Sequence, residues 1–153
     1  MTGIELLERC RNYEGEIHRM NERIERLRDS AKRITPTYRF DEGGRSTVEQ
    51  DKLSAVVAEI DDIERSIKVR SKEYAEECVA ALSIIDRLGD ALQEKLIDWY
   101  YLRGATIAVA AEKFGYSYGY LRTCLSAARK KIDKIEEAEI DALLPEWYRH
   151  EVI

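Results

Sequence analysis

In this 153-residue sequence the side chains best suited to chemistry gather between Ser117 and Lys130. Tyr118, Gly119, Arg122, Thr123, Ser126, Arg129 and Lys130 fall on one side of a helical repeat. Leu121, Leu125, Ala128 and Ile132, spaced by three or four, fall on the other side and predict its buried face. The chemistry on offer is anion recognition. Arg122, Arg129 and Lys130 can contact phosphates, as can the backbone N–H groups at the helix start near Ser117. Arg122 can instead take a bidentate hold on guanine, and Thr123 can touch a thymine methyl. Tyr118 and Tyr120 can donate to phosphates or pack on sugars.

No catalytic set competes with that cluster. The sequence has no G-x-S-x-G, no phosphate-binding glycine loop and no H-E-x-x-H. Asp61 and Asp62, like Glu76 and Glu77, are adjacent, so they diverge around a helix and make poor acid/base pairs. Cys10, Cys78 and Cys124 lie far apart, which fits a reducing cytosol rather than a disulfide framework or a zinc site. His18 and His150 stand in no ligand-like cluster. The expectation is no enzyme, no cofactor and no metal. No apolar run approaches the ~18 residues that span a bilayer. No secretory leader is visible, so the chain reads as cytoplasmic with no membrane partner.

The elements that must position the cluster have local signatures. Thr106 can cap a first helix, and Ala110 and Ala111 are small enough for a close helix crossing. Phe114 offers an apolar anchor, and Gly115 can end the helix in a left-handed conformation. Ser117 then caps the second helix. This is a helix-turn-helix pattern, whose second helix enters the DNA major groove. Upstream, Gly89 breaks the chain and Asp90 caps a helix from Ala91 to about Arg103. Its Leu92, Leu96, Trp99, Tyr100 and Leu102 form the apolar face, with Trp99 and Tyr100 placed beneath the helix pair. Gly104 ends that helix, giving a three-helix unit.

The stretch from Thr106 to Ile132 resembles the DNA-binding helix-turn-helix of sigma factor region four. With the preceding LIDWYYLRG and long N-terminal helices, the chain is similar to a family of small phage and prophage proteins carrying that domain C-terminally. The similarity runs from about Leu27 through the ITPTY segment to Ile132. The resemblance implies that Tyr118, Gly119, Arg122 and Thr123 occupy the positions that read a promoter element. It implies double-stranded DNA as partner, RNA polymerase as a further one, and a role as transcription regulator, such as an activator of late genes. Tyr118, Gly119 and Tyr120 stand where housekeeping sigma factors hold charged residues, so the target sequence does not transfer. There is also no room for the promoter-melting sigma region two. The alternative function is a protein-interaction module, which binds polymerase or another partner through the N-terminal helices without reading DNA.

Charge follows the same division. The chain carries −5 overall. Between Ala91 and Lys134 eight Lys and Arg face four Asp and Glu, a net +4, so the remainder carries −9. A basic module on an acidic chain is the distribution expected of local phosphate contact.

The expected fold class is all-α. Residues 1–89 predict a coiled-coil hairpin with a loop at 35–46, 90–134 the helix-turn-helix unit, and 135–153 an acidic helix and tail. In the first helix, about Thr2 to Ile34, the seam is Leu6, Cys10, Tyr13, Ile17, Met20, Ile24, Leu27, Ala31 and Ile34. Thr35-Pro36 should end it, and Tyr38 and Phe40 in the loop can cap the hairpin or meet a partner. Thr47 can cap the second helix, whose seam follows Leu53, Val56, Ile60, Ile63, Ile67, Tyr74, Cys78, Ala81, Ile85 and Leu88. These seams pair within one chain, antiparallel, or between two chains of a homodimer; the pattern allows both. The helix from Ser117 is expected to continue through Ile135, Ala138 and Leu143 up to Pro145, with a tail that packs on the protein or projects from it.

Overall fold

A computed structural model describes residues 1–39 and 47–151, with side chains for residues 1–33 and 50–148. The protein is all-α, and no strand occurs among the described residues. The helices are α1 (Gly3–Arg39), α2 (Thr47–Ile85), α3 (Ala91–Ile97), α4 (Ile107–Phe114), α5 (Tyr118–Asp133), α6 (Glu137–Leu143) and α7 (Glu146–Glu151), with a π-helical turn (Asp98–Leu102) directly after α3.

Two compact units form, and they do not follow a boundary at residue 89. One comprises Met1–Gly15 with Lys72–Ile153, the other Glu16–Ser71. In the first unit, Leu6, Leu7 and Cys10 of α1 and Ala80, Ala81 and Ile84 of α2 are all at most 2% exposed. They pack in one core with Leu96, Ile97, Leu121, Ala128, Ile132 and Ile140. A heptad seam needs only one stripe per helix, but here α1 and α2 are surrounded, so the buried face widens to include Leu7, Glu77, Ala80 and Ile84. The charge of the fully buried Glu77 is met by Arg9, whose Nη2 lies 2.6 Å from Oε1.

The second unit keeps the narrower pattern. Ile17, Met20, Leu27, Leu53, Val56, Ile60, Ile63 and Ile67 are half-buried, as two helices alone leave them, and Ile24 is buried. Arg23 pairs with Glu59, Arg28 with Glu64 at 3.2 Å and Arg70 with Glu16 at 3.6 Å, so α1 and α2 of one chain lie side by side here.

Three expectations are corrected. Helix α1 runs through Thr35-Pro36 to Arg39. Proline forfeits one backbone donation, crowds the preceding turn and biases its predecessor away from helix, none of which is an absolute stop. The roles assigned to Tyr38, Phe40 and Thr47, and the rest of the 35–46 loop, lie outside the described residues or side chains. Second, the helix from Ala91 does run on to Leu102, but its last five residues are a π turn and not α. Arg103 N–H donates to Asp98 O five residues back, at 3.1 Å, the mark of a π turn. The extra residue turns Tyr101 and Leu102 into the core at 2% and 6% exposure, while Trp99 is left against α4. Third, α5 stops at Asp133 and the chain turns before α6. Folding back buries Ile140 and Leu144 in the core of the first unit, which a straight continuation would leave in water. The described part of the acidic tail therefore packs on the protein.

Candidate nucleic-acid interface

The helix pair carrying the candidate residues is fixed by its caps. Thr106 Oγ1 accepts from Val109 N–H at 3.2 Å and opens α4. Gly115, at φ 75°, closes it in the left-handed region, with its N–H bonded to Ala111 O. Two residues later Ser117 Oγ accepts from Tyr120 N–H at 3.2 Å and opens α5. Ala110 and Ala111 are buried, as a close crossing of α4 over α5 requires. Leu121, Leu125, Ala128 and Ile132 are the buried face of α5, the residues the spacing selected. From below, Trp99 meets the Phe114 ring edge-on at 5.1 Å. Tyr100 instead stacks under Arg11, whose guanidinium also donates to the carbonyls of Tyr100 and Ala105 and pins the chain leading into α4.

That framework leaves one side of α5 in solvent. Gly119, Thr123, Ser126 and Lys130 run along the line opposite the core, and all four are exposed. A side chain at Gly119 would meet nothing within 4 Å, so this part of the helix surface is flat and open. Thr123 Oγ1 donates back to Gly119 O at 3.1 Å, which turns its methyl outward. Tyr118, Arg122 and Arg129 form the next line round. Arg122 sits 6.0 Å from the Tyr118 ring centroid, a cation–π contact that leaves its donors available. Arg122 and Lys130 have no carboxylate partner among the described residues. Arg129 differs: its guanidinium lies 3.9 Å from Glu8 of α1, so part of its charge is already met within the fold.

The structure therefore brings Tyr118, Gly119, Arg122, Thr123, Ser126 and Lys130 onto one accessible surface, uses Ser117 as a cap, and places Arg129 at its edge. Tyr120 points to the other flank, where it stacks with Tyr116 at 5.3 Å. Tyr116, 46% exposed, completes a trio with Tyr118 and Tyr120 at 50% and 51%, yet was absent from the candidate set. Its position between Gly115 and the Ser117 cap is the sequence signal that could have placed it at this rim. The neighbouring Lys131 is not part of the surface. Its Nζ donates to Leu88 O at 3.2 Å and Gln93 Oε1 at 2.8 Å, tying α5 to the start of α3.

Other reactive groups belong to the core. Burial pushes the Cys10 thiol up to about 12 and raises Cys78 as well, the reverse of an activated thiolate. Among the described residues no three His, Cys, Asp or Glu gather to hold a metal ion, and no helix is long and apolar enough to cross a membrane. Comparison of the chain with protein-family models, with curated proteins and with solved structures gives no match.

Proposed function

We propose that this chain is a cytoplasmic DNA-binding transcription regulator of phage or prophage type, with α5 as its recognition helix. The observation that carries the reading is the open outward side of α5, where Arg122 and Lys130 stand exposed, with no carboxylate partner among the described residues, beside the half-exposed Tyr118. Arg122 contacts a base edge or a phosphate, Lys130 a phosphate, and the flat stretch at Gly119 admits the duplex close to the helix. RNA polymerase enters as a further partner on the resemblance to sigma region four alone. Selection of bound fragments from a random duplex pool tests the reading: an enriched sequence that Arg122→Ala no longer enriches supports it, and recovery of the unselected pool refutes it.

A second reading rests on the tyrosine trio. Tyr118 beside Arg122 on one flank of α5, and the stacked Tyr116 and Tyr120 on the other, have the residue types of a protein-interaction hot spot, with the helix pair docking a protein instead of DNA. Loss of partner capture in Tyr118→Ala, with no DNA affinity in wild type, favours that alternative.

A further inference from the structure

The second compact unit has a groove far in sequence from α5. It is lined by Glu16, Arg19, Met20 and Arg23 of α1 and by Ser66 and Arg70 of α2, with a volume of about 450 Å³. That lies within the roughly 300–1,000 Å³ of small-ligand sites. Three guanidiniums face it against one carboxylate. Arg19 has no carboxylate partner among the described residues, while Arg70 is held 3.6 Å from Glu16 and Arg23 pairs with Glu59. Both pairs are solvent-exposed, the class of ion pair that yields readily to a better anion. Ser66 contributes a hydroxyl to the lining. Ser30 and Ser83 donate back to the carbonyls of Arg26 and Val79, one turn earlier. Ser66 makes no such bond among the described residues, so its hydroxyl remains available to the groove.

We infer that this groove is a phosphate-binding site, in which Arg19 and Arg70 grip phosphate oxygens and Ser66 donates a further hydrogen bond. Guanidinium forks match the paired oxygens of a phosphate, and a carboxylate offers fewer oxygens to three arginines and a hydroxyl. The phosphates come from a free polyphosphate or from a nucleic-acid backbone. The site is independent of the α5 surface, and its test does not depend on that surface.

Titration calorimetry of the full chain with pyrophosphate is the first arm, and with a short duplex oligonucleotide the second. Saturable binding that weakens roughly tenfold or more in Arg19→Ala/Arg70→Ala is expected in at least one arm. Ser66→Asp, which places a carboxylate in the groove without removing either ion pair, should weaken it likewise. Arg28→Ala, a control on the same helix outside the groove, should change nothing, nor should Arg122→Ala/Lys130→Ala alter pyrophosphate binding. Dependence on the groove variants with pyrophosphate identifies a free phosphate ligand; dependence with duplex alone identifies the backbone. Wild-type affinity retained by both groove variants overturns the site. So does an equal loss in Arg28→Ala, or the absence of binding in both arms.

Discussion

Lys130 and Lys131 are neighbours in sequence with opposite assignments, and exchanging each for alanine separates them. Lys131 spans from α5 to Leu88 O and Gln93 Oε1, and Gln93 is only 8% exposed. Hydrogen bonds from a charged donor contribute about 1.5–3 kcal/mol each when both ends are buried. Lys131 itself is exposed, and immobilising a lysine costs up to about 2 kcal/mol of side-chain entropy, so Lys131→Ala should destabilise by about 1–2 kcal/mol. For a chain of this size that lowers Tm by about 2–8 °C. Lys130→Ala removes an exposed side chain without partners among the described residues, and its effect on stability should stay within about 0.5 kcal/mol. On duplex DNA the order reverses. Lys130→Ala should reduce the slope of log K against log salt by about 0.9, the loss of one phosphate contact, and Lys131→Ala should leave the slope unchanged. Thermal denaturation and fluorescence anisotropy across a salt series read the two effects. If Lys131→Ala melts with wild type, or its salt slope falls in place of that of Lys130→Ala, the division of labour along α5 is wrong.

The core and the caps give further outcomes. Arg9→Ala strips the guanidinium from the fully buried Glu77 and should cost about 3–5 kcal/mol, whereas Arg9→Met with Glu77→Met should lie near or above wild type in urea unfolding. Ser117→Ala removes the cap of α5 and should lower stability by about 1 kcal/mol by urea melt, while Ser117→Gly should lose only a few tenths. Burial raises Cys10 from 9.0 and Tyr13 from 10.0, each to about 12, so the folded protein keeps protons that the unfolded chain releases. The stability tied to them is full below pH 9 and falls as pH rises from about 9 to about 12. Urea midpoints measured across that window should decline, and Cys10→Ala should make the decline shallower.

What the sequence makes legible here is local. Asp90, Thr106, Gly115 and Ser117 announce their helix ends because a cap depends on one side chain and the adjacent backbone. The buried face of α5 follows from its spacing alone. Features set by distant contacts are not legible. The turn after Asp133 has neither Gly nor Pro to mark it, and it forms because Ile140 and Leu144 gain a core only by folding back. The π turn at Asp98–Leu102 depends on where Tyr101 and Leu102 find room, and Lys131 is distinguished from Lys130 only by Leu88 and Gln93, far away in sequence. For the same reason the ion pair of Arg129 with Glu8 of α1, 121 residues earlier, has no local signal. Pro36 failed as a stop signal in the opposite way: its effect on the residue before it is a bias and not a prohibition, and α1 runs on to Arg39.

The most direct test of the α5 surface is the affinity of the full chain for a labelled random-sequence duplex at low salt, with Arg122→Ala/Lys130→Ala alongside. Recognition through α5 requires that wild type bind with a steep salt dependence and that the double variant, folded to the same Tm, lose both affinity and slope. Equal binding by the two proteins, or none by either, contradicts it.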